Sequence, residues 1–327
     1  MRPQRLPPST QVLREMTEIR KQPYNLSVVI PLYCEGSHLD TTLNEIICAL
    51  DSLVTTYELV LVDDGSSDNT WQAIVEQCKL HTCVKGIRLS RNFGKEAALA
   101  AGLEHTHGDA IVVMDGDLQH PPSLIPLMVN AWQDGADVVE AVKRFRGHES
   151  VYSKVRAKVF YGIFSRLTGH DLRGASDFKL LDRRVLEAWL KMGERNLFFR
   201  GMTSWLGFKR AKISFDVPDR VDGKSGWSLL QLVRLAMTAV TAFSSAPLHL
   251  ITLSGIGFAI FAVILGAQTL YHKIAGHAVD GFTTVILLLL IIGGAMMLGL
   301  GMIGTYIARV YDEVKGRPRY IIAEQAG

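Results

Sequence analysis

Two long runs without a charged residue constrain this chain more than any other feature in it. Leu250 to Tyr271 (LITLSGIGFAIFAVILGAQTLY) and Gly281 to Ala308 (GFTTVILLLLIIGGAMMLGLGMIGTYIA) contain no Asp, Glu, Lys or Arg. At about 1.5 Å of rise per residue, either run as a helix spans a hydrocarbon core of about 30 Å. Soluble helices normally bury one stripe and expose the other, so apolar runs of this length point to a membrane rather than a protein core. The link between them, HKIAGHAVD, is short, and a helical hairpin follows. Arg309, Lys315, Arg317 and Arg319 come after the second run, whereas the link holds only Lys273. The positive-inside tendency therefore puts both termini and the N-terminal part in the cytoplasm.

The remainder reads as water-soluble. Net charge is +3 over 327 residues, which gives no reason to expect a nucleic-acid partner. Residues 1–24 lack an apolar signal-type core and read as a polar arm. Cys34, Cys48, Cys78 and Cys83 have no zinc-type spacing, and reduced thiols are expected.

From residue 25 to 225 short apolar runs alternate with helical patterns. Strands are expected at 26–31 (LSVVIP), 57–64 (YELVLVDD), 84–90 (VKGIRLS), 109–115 (DAIVVMD) and 136–142 (ADVVEAV). Helices are expected from Ser37 to Leu53, Asn69 to Leu80 and Lys95 to His105, with Pro122 in the first turn of another. Buried strands separated by helices imply a parallel sheet in an α/β layer fold. Ligands of such sheets bind at the carboxyl ends of the strands. The acidic residues gather there: Glu35 after the first strand, Asp63 and Asp64 at the end of the second, Asp115 and Asp117 at the end of the fourth. Neither G-x-G-x-x-G nor a P-loop follows the first strand, which continues PLYCEGS.

Residues two apart on an extended chain face the same side, so Asp115 and Asp117 share one space, with Gly116 allowing close approach between them. Crowded carboxylates repel unless a cation holds them. Hard oxygen donors suit Mg²⁺ or Mn²⁺ shared with substrate phosphates, and Gln119 can add a carbonyl oxygen.

VVIPLYCE, LVLVDDGSSDNT, LSRNFGKEAALAAGL, VVMDGDLQHPP and GASDFKLLDRR together resemble glycosyltransferase family 2, in its polyisoprenyl-phosphate branch of bactoprenol glucosyltransferases and dolichol-phosphate mannose synthases. The likeness runs from residue 26 to about 320 and is strongest to bacterial undecaprenyl-phosphate enzymes. It implies a GT-A type, mostly parallel nucleotide-binding sheet with helices on both faces, amphipathic interface helices and a two-helix transmembrane hairpin. The implied domains are a cytoplasmic catalytic domain over 25–225, a juxtamembrane helix over 226–245, the two spans within 246–310 and a cytoplasmic tail over 311–327.

Residue by residue, the likeness implies that Pro31 and Glu35 line the nucleoside pocket and that Asp63 and Asp64 contact the base, a uracil. Tyr33, Asn92, Lys95, Asp115 and Gly116 complete the expected donor site, and Asp115, Asp117 and Gln119 the metal site for Mg²⁺ or Mn²⁺. Asp177 is the expected catalytic group, as an orienting group or weak base. Arg200, Lys224 and Ser225 are expected on the acceptor phosphate. Cys34 stands where the family usually has Asn, and Gly116 where Ala is common.

The reaction so implied is inverting transfer of one sugar from a UDP-sugar, glucose first, to undecaprenyl phosphate at the cytoplasmic face of a bacterial inner membrane. Two amphipathic stretches, 151–167 and 227–243, would lie at the membrane surface. GGAMMLGLGMIG permits close helix packing and so a homo-oligomer. A processive synthase would carry Q-x-x-R-W, whereas the chain reads QLVRLA at 231–236. The alternative from another class is a membrane-tethered nucleotide-sugar sensor without transferase activity.

Overall fold

The computed structural model describes residues 20, 23–53, 56–117, 119–143, 176–194, 199–215, 246–275 and 281–327. Lys224, Ser225 and both expected amphipathic helices lie outside them. The described chain forms two compact units, a sheet unit that includes residues 318–327 and a hairpin unit.

The sheet unit is built on one eight-stranded sheet. β1 (Asn25–Leu32), β2 (Thr56–Asp63), β3 (Val84–Leu89), β4 (Ala110–Val113) and β5 (Val138–Lys143) coincide closely with the five expected strands. Their Val, Ile and Leu runs suit strands covered on both faces, and Leu26 to Leu32 is buried throughout. β6 (Lys179–Asp182), β7 (Arg210–Phe215) and β8 (Ile322–Ala326) complete the order β7-β5-β6-β4-β1-β2-β3-β8. β1 pairs in parallel with β2 and β4, and β2 with β3. β6 lies antiparallel between β4 and β5, and β8 runs antiparallel along β3, so the sheet is mixed rather than wholly parallel. Two of the three extra strands left little trace in the sequence, β6 having only four residues and β8 being mostly exposed, whereas β7 (RAKISF) carries the polar–apolar alternation of a half-buried strand and was missed.

Helices cover both faces. α1 (Leu39–Asp51) buries Leu39, Leu43, Ile46 and Leu50, spaced to share one side of a helix. It shares a core with α2 (Thr70–Leu80), with α4 (Ile125–Gln133), and with the Leu26, Val28 and Ile30 face of β1. α3 (Lys95–Glu104) covers the opposite face, where Gly102 comes so near Val29 and Val62 that a Cβ would lie 2.4 Å from a Val29 methyl. Between β6 and β7 come α5 (Arg183–Leu190) and α6 (Phe199–Trp205). Arg20 is pinned in this unit, donating to the carbonyls of Trp132 and Ala136 and to Asp137 and Asp182.

The hairpin unit holds α7 (Ala246–Ile274) and α8 (Phe282–Val314). Ile251–His272 and Ile291–Val314 are long and apolar enough to cross a membrane, and almost none of either is buried by protein. Leu253, Val263, Leu289 and Leu298 are each more than half exposed, a distribution unlike that of a core helix. A Cβ on Gly299 of α8 would lie 3.3 Å from Ile251 of α7, so the small residue sits where the two helices touch.

Candidate active site

A cleft of about 330 Å³ opens at the carboxyl ends of β1, β2 and β4. Pro31, Tyr33 and Glu35 enter it from the end of β1 and the loop beyond, and Asp64 from the end of β2. Asn92 and Lys95 enter from the start of α3, and Asp115, Gly116 and Asp117 from the loop after β4. Nine of the residues expected from sequence thus share one concave surface.

The two aspartates that end β2 part company. Asp64 lines the cleft, and its two oxygens accept from the backbone N–H groups of Phe93 (2.8 Å) and Gly94 (2.9 Å), which tie the loop before α3 to β2. Burial raises its pKa, and those two bonds oppose the rise. Asp63 is fully buried and does not line the cleft. Its Oδ1 accepts from the Ser66 backbone N–H at 2.9 Å, and its Oδ2 faces Arg88 at 3.4 Å. Ser66 Oγ in turn accepts from the Cys34 backbone N–H at 2.9 Å. Cys34 has φ 56°, the left-handed region that Asn tolerates better than other side chains with a Cβ. The exchange of Asn for Cys therefore bears on backbone strain beside the cleft.

The acidic centre is short of positive charge. Glu35 faces Asp115 and Asp117, and its Oε2 is buried with no hydrogen-bond partner. Burial first, then Asp117 and Asp115, push its pKa up to about 7, with only Lys95 opposing. A Cβ at position 116 would meet Glu35 Oε2 at 2.4 Å and Leu32 Cδ2 at 2.6 Å, so glycine is what lets the glutamate reach in. Thr42 of α1 holds this loop through a bond to the Gly116 carbonyl. Ligating atoms of Asp115, Asp117 and His120 lie within 4.8 Å of one another. Clustered carboxylates with a buried, unpaired oxygen beside them fit a hard divalent cation. Gln119 is exposed and its backbone N–H donates to Asp117 Oδ1. His120 was missed from sequence, although it directly follows Gln119 in DLQH. It is buried, bonded through Nε2 to Ser176 Oγ at 3.0 Å, and lies beside the rings of Phe178 and Phe215.

Asp177 is the opposite case. Arg200 of α6 grips it with two bonds of 2.6 Å, and Lys95 Nζ reaches it at 2.7 Å. Burial alone would raise its pKa, but the Arg200 fork and Lys95 outweigh that and hold it at about 2. Lys95 also touches Asp115 Oδ1 at 2.6 Å, so one lysine joins the two centres. Asp115, Lys95, Asp177 and Arg200 form a chain of alternating charge.

Two further supports fix α6 beneath Arg200. Glu96 accepts from the Phe199 backbone N–H at 2.8 Å, and burial chiefly pushes its pKa up to about 7. Lys179, fully buried, bonds Thr203 of α6 at 2.8 Å and Glu140 at 2.9 Å, and Arg210 also donates to Glu140. Neither support was legible from sequence, because the partners come from separate elements with no local spacing to betray them.

Residues 27–190 match the family described as Glycosyl transferase family 2. An uncharacterized glycosyltransferase of Synechocystis is 34% identical over 92% of this chain and 96% of its own. The bactoprenol glucosyl transferase of Shigella phage SfX is 36% identical over 81% of this chain and 88% of its own. Among solved structures, glucosyl-3-phosphoglycerate synthase of Mycobacterium tuberculosis, in complex with Mn²⁺, UDP-glucose and phosphoglyceric acid, is similar with a TM-score of 0.45. It is 19% identical over 69% of this chain and 80% of that one. The mixed GT-A type sheet carries an acidic cleft at the carboxyl edge of its parallel strands, and the chain belongs to glycosyltransferase family 2. It is a glycosyltransferase.

Proposed function

We propose that this enzyme moves a single sugar from a UDP-sugar, UDP-glucose first, to undecaprenyl phosphate, with inversion at the anomeric carbon. The observation that carries the proposal is the charge chain from Asp115 through Lys95 and Asp177 to Arg200. It joins a centre suited to a metal-bound diphosphate to a cation suited to a phosphate monoester. The bactoprenol glucosyl transferase relative supports the lipid acceptor, and α7 and α8 support a membrane-held protein. The basic residues Arg309, Lys315, Arg317 and Arg319 are the ground for proposing that its termini face the cytoplasm.

Asp115 and Asp117, with Gln119 or His120 beside them, would hold a Mg²⁺ or Mn²⁺ ion, which when bound would neutralise charge on the leaving diphosphate. Pro31, Tyr33 and Asn92 wall the nucleoside side of the cleft, and Asp64 presents the carboxylate nearest the base. Asp63 supports the turn behind it. Asp177, at a pKa of about 2, is too weak a base to take a proton near neutrality. None needs taking, since a phosphate monoester with a second pKa near ~6 is mostly dianionic at neutral pH. Asp177 instead orients Lys95 and Arg200. The Arg200 guanidinium, part exposed and preorganised by Asp177, receives the acceptor phosphate. Lys224 and Ser225 are proposed as its companions, and a homo-oligomer as the assembly.

Purified protein in detergent, given undecaprenyl phosphate, Mn²⁺ and a panel of UDP- and GDP-sugars, should yield one lipid-linked monosaccharide by mass spectrometry. Saturable UDP binding with no glycolipid from any donor would favour a membrane-tethered nucleotide-sugar sensor instead.

A further inference from the structure

We infer that β8, the strand following the second apolar helix, is a positioning element of the donor cleft, acting through Glu324 and Arg88 on Asp63 and through Ile321 on the loop that carries Asn92. The inference rests on the donor site proposed above and adds to it a segment far away in sequence.

The path is continuous in hydrogen bonds and ion pairs. Glu324 accepts from Trp71 Nε1 at 3.0 Å with one oxygen and from Arg88 at 2.7 Å with the other. Arg88 is thereby held between two carboxylates, since its Nε faces Asp63 Oδ2 at 3.4 Å. That oxygen is fully buried and makes no hydrogen bond, so Arg88 is the charge that offsets it. Asp63 Oδ1 fixes the Ser66 N–H, and Ser66 Oγ fixes the N–H of Cys34 in its left-handed conformation. Tyr33 and Glu35, the neighbours of Cys34, are walls of the cleft.

A second path is shorter. The Ser90 backbone N–H donates to the Ile321 carbonyl at 2.9 Å, two residues before Asn92. There the pairing of β3 with β8 also shifts register, between Arg88 and Leu89, so the tail follows the loop as it leaves the sheet. Gly65 packs against the backbone of Arg91, where a Cβ would lie 2.4 Å away, so the two loops that flank Asp64 bear on each other. Covering the edge of β3 would by itself need only backbone pairing. The side-chain grip on Arg88, a residue aimed at Asp63, goes beyond that need.

Glu324 is a surface side chain, so its variants test the path without emptying the core. UDP is titrated by calorimetry into the full chain in detergent with Mn²⁺, and rates are measured against UDP-glucose and against undecaprenyl phosphate. Glu324→Ala should weaken UDP binding about threefold, and Glu324→Lys, which sets a cation against Arg88, about tenfold. Glu324→Gln keeps one acceptor oxygen where the carboxylate offers two, so it serves Trp71 or Arg88 but not both, and its loss should fall between wild type and Glu324→Ala. The donor KM should follow UDP affinity in all three, while kcat and the acceptor KM stay within about twofold of wild type. UDP affinity equal to wild type in both Glu324→Ala and Glu324→Lys, or an equal fall in kcat for every substrate, overturns the inference. Failure of the unaltered chain to bind UDP overturns the donor assignment beneath it, and the inference with it.

Discussion

Glu35, half-buried, and Asp177, buried, are carboxylates of one candidate site, and their surroundings drive them in opposite directions. Glu35 sits with Asp115 and Asp117 around a shared Lys95, and its pKa rises to about 7. Asp177 sits between Lys95 and Arg200, and its pKa falls to about 2. One centre has more negative charge than its protein partners can offset, which is the condition for holding a cation. The other is over-supplied with positive charge, so it spends its charge on orientation and leaves its cations ready for a second anion. Lys95 belongs to both and sets the distance between them.

The largest break in this contrast should come from Asp117→Asn. It removes one charge from the deficient centre, and glycolipid synthesis should fall by about 10²–10³, with Mn²⁺ affinity falling in parallel. Arg200→Ala strikes the other centre. It should raise the acceptor KM by about 10- to 100-fold while leaving UDP binding unchanged, and the freed Asp177 should destabilise the fold. Asp177→Asn should lower kcat by about tenfold without moving the acid limb of the pH–rate profile. A lost acid limb would make it a general base, and full kcat would remove it from the site altogether.

Much of the deficient centre is legible in the sequence, because its residues follow directly on buried strands. A run such as AIVVMDGD announces both the strand and the two carboxylates at its end. The second centre was legible only as separate pieces. Asp177 precedes a four-residue strand, and Arg200 lies on a seven-residue helix, so no periodicity tied them together. His120 shows a third kind of gap. Its neighbour Gln119 was chosen for its carbonyl, yet the loop turns the histidine inward and the glutamine to solvent. Asp63 was assigned to the base beside Asp64, but alternation along β2 turns its side chain away from the cleft.

Glu96 sharpens the contrast through pH. Its folded pKa of about 7 lies above the ordinary carboxylate range, so between about pH 4.5 and 7 the folded state holds the extra proton. Stability from this group is present at the acid end of that window and is lost as pH rises through it. Wild-type Tm should therefore drop by a few degrees, about 2–4 °C, across the window, and Glu96→Gln should flatten the slope. The smallest expected change is Gly116→Ala. Its methyl must displace the ends of the Glu35 and Leu32 side chains, and Mn²⁺ affinity should shift by about two- to fivefold. A tenfold loss would mean that Glu35 is itself a ligand.

The most direct measurement is Mn²⁺ binding to the full chain in detergent, by calorimetry and electron paramagnetic resonance, with and without UDP. The opposed centres predict a single ion per chain, tightened by UDP, lost in Asp117→Asn and kept in Asp177→Asn. Binding that survives Asp117→Asn, or that vanishes with Asp177→Asn in a folded protein, would contradict them.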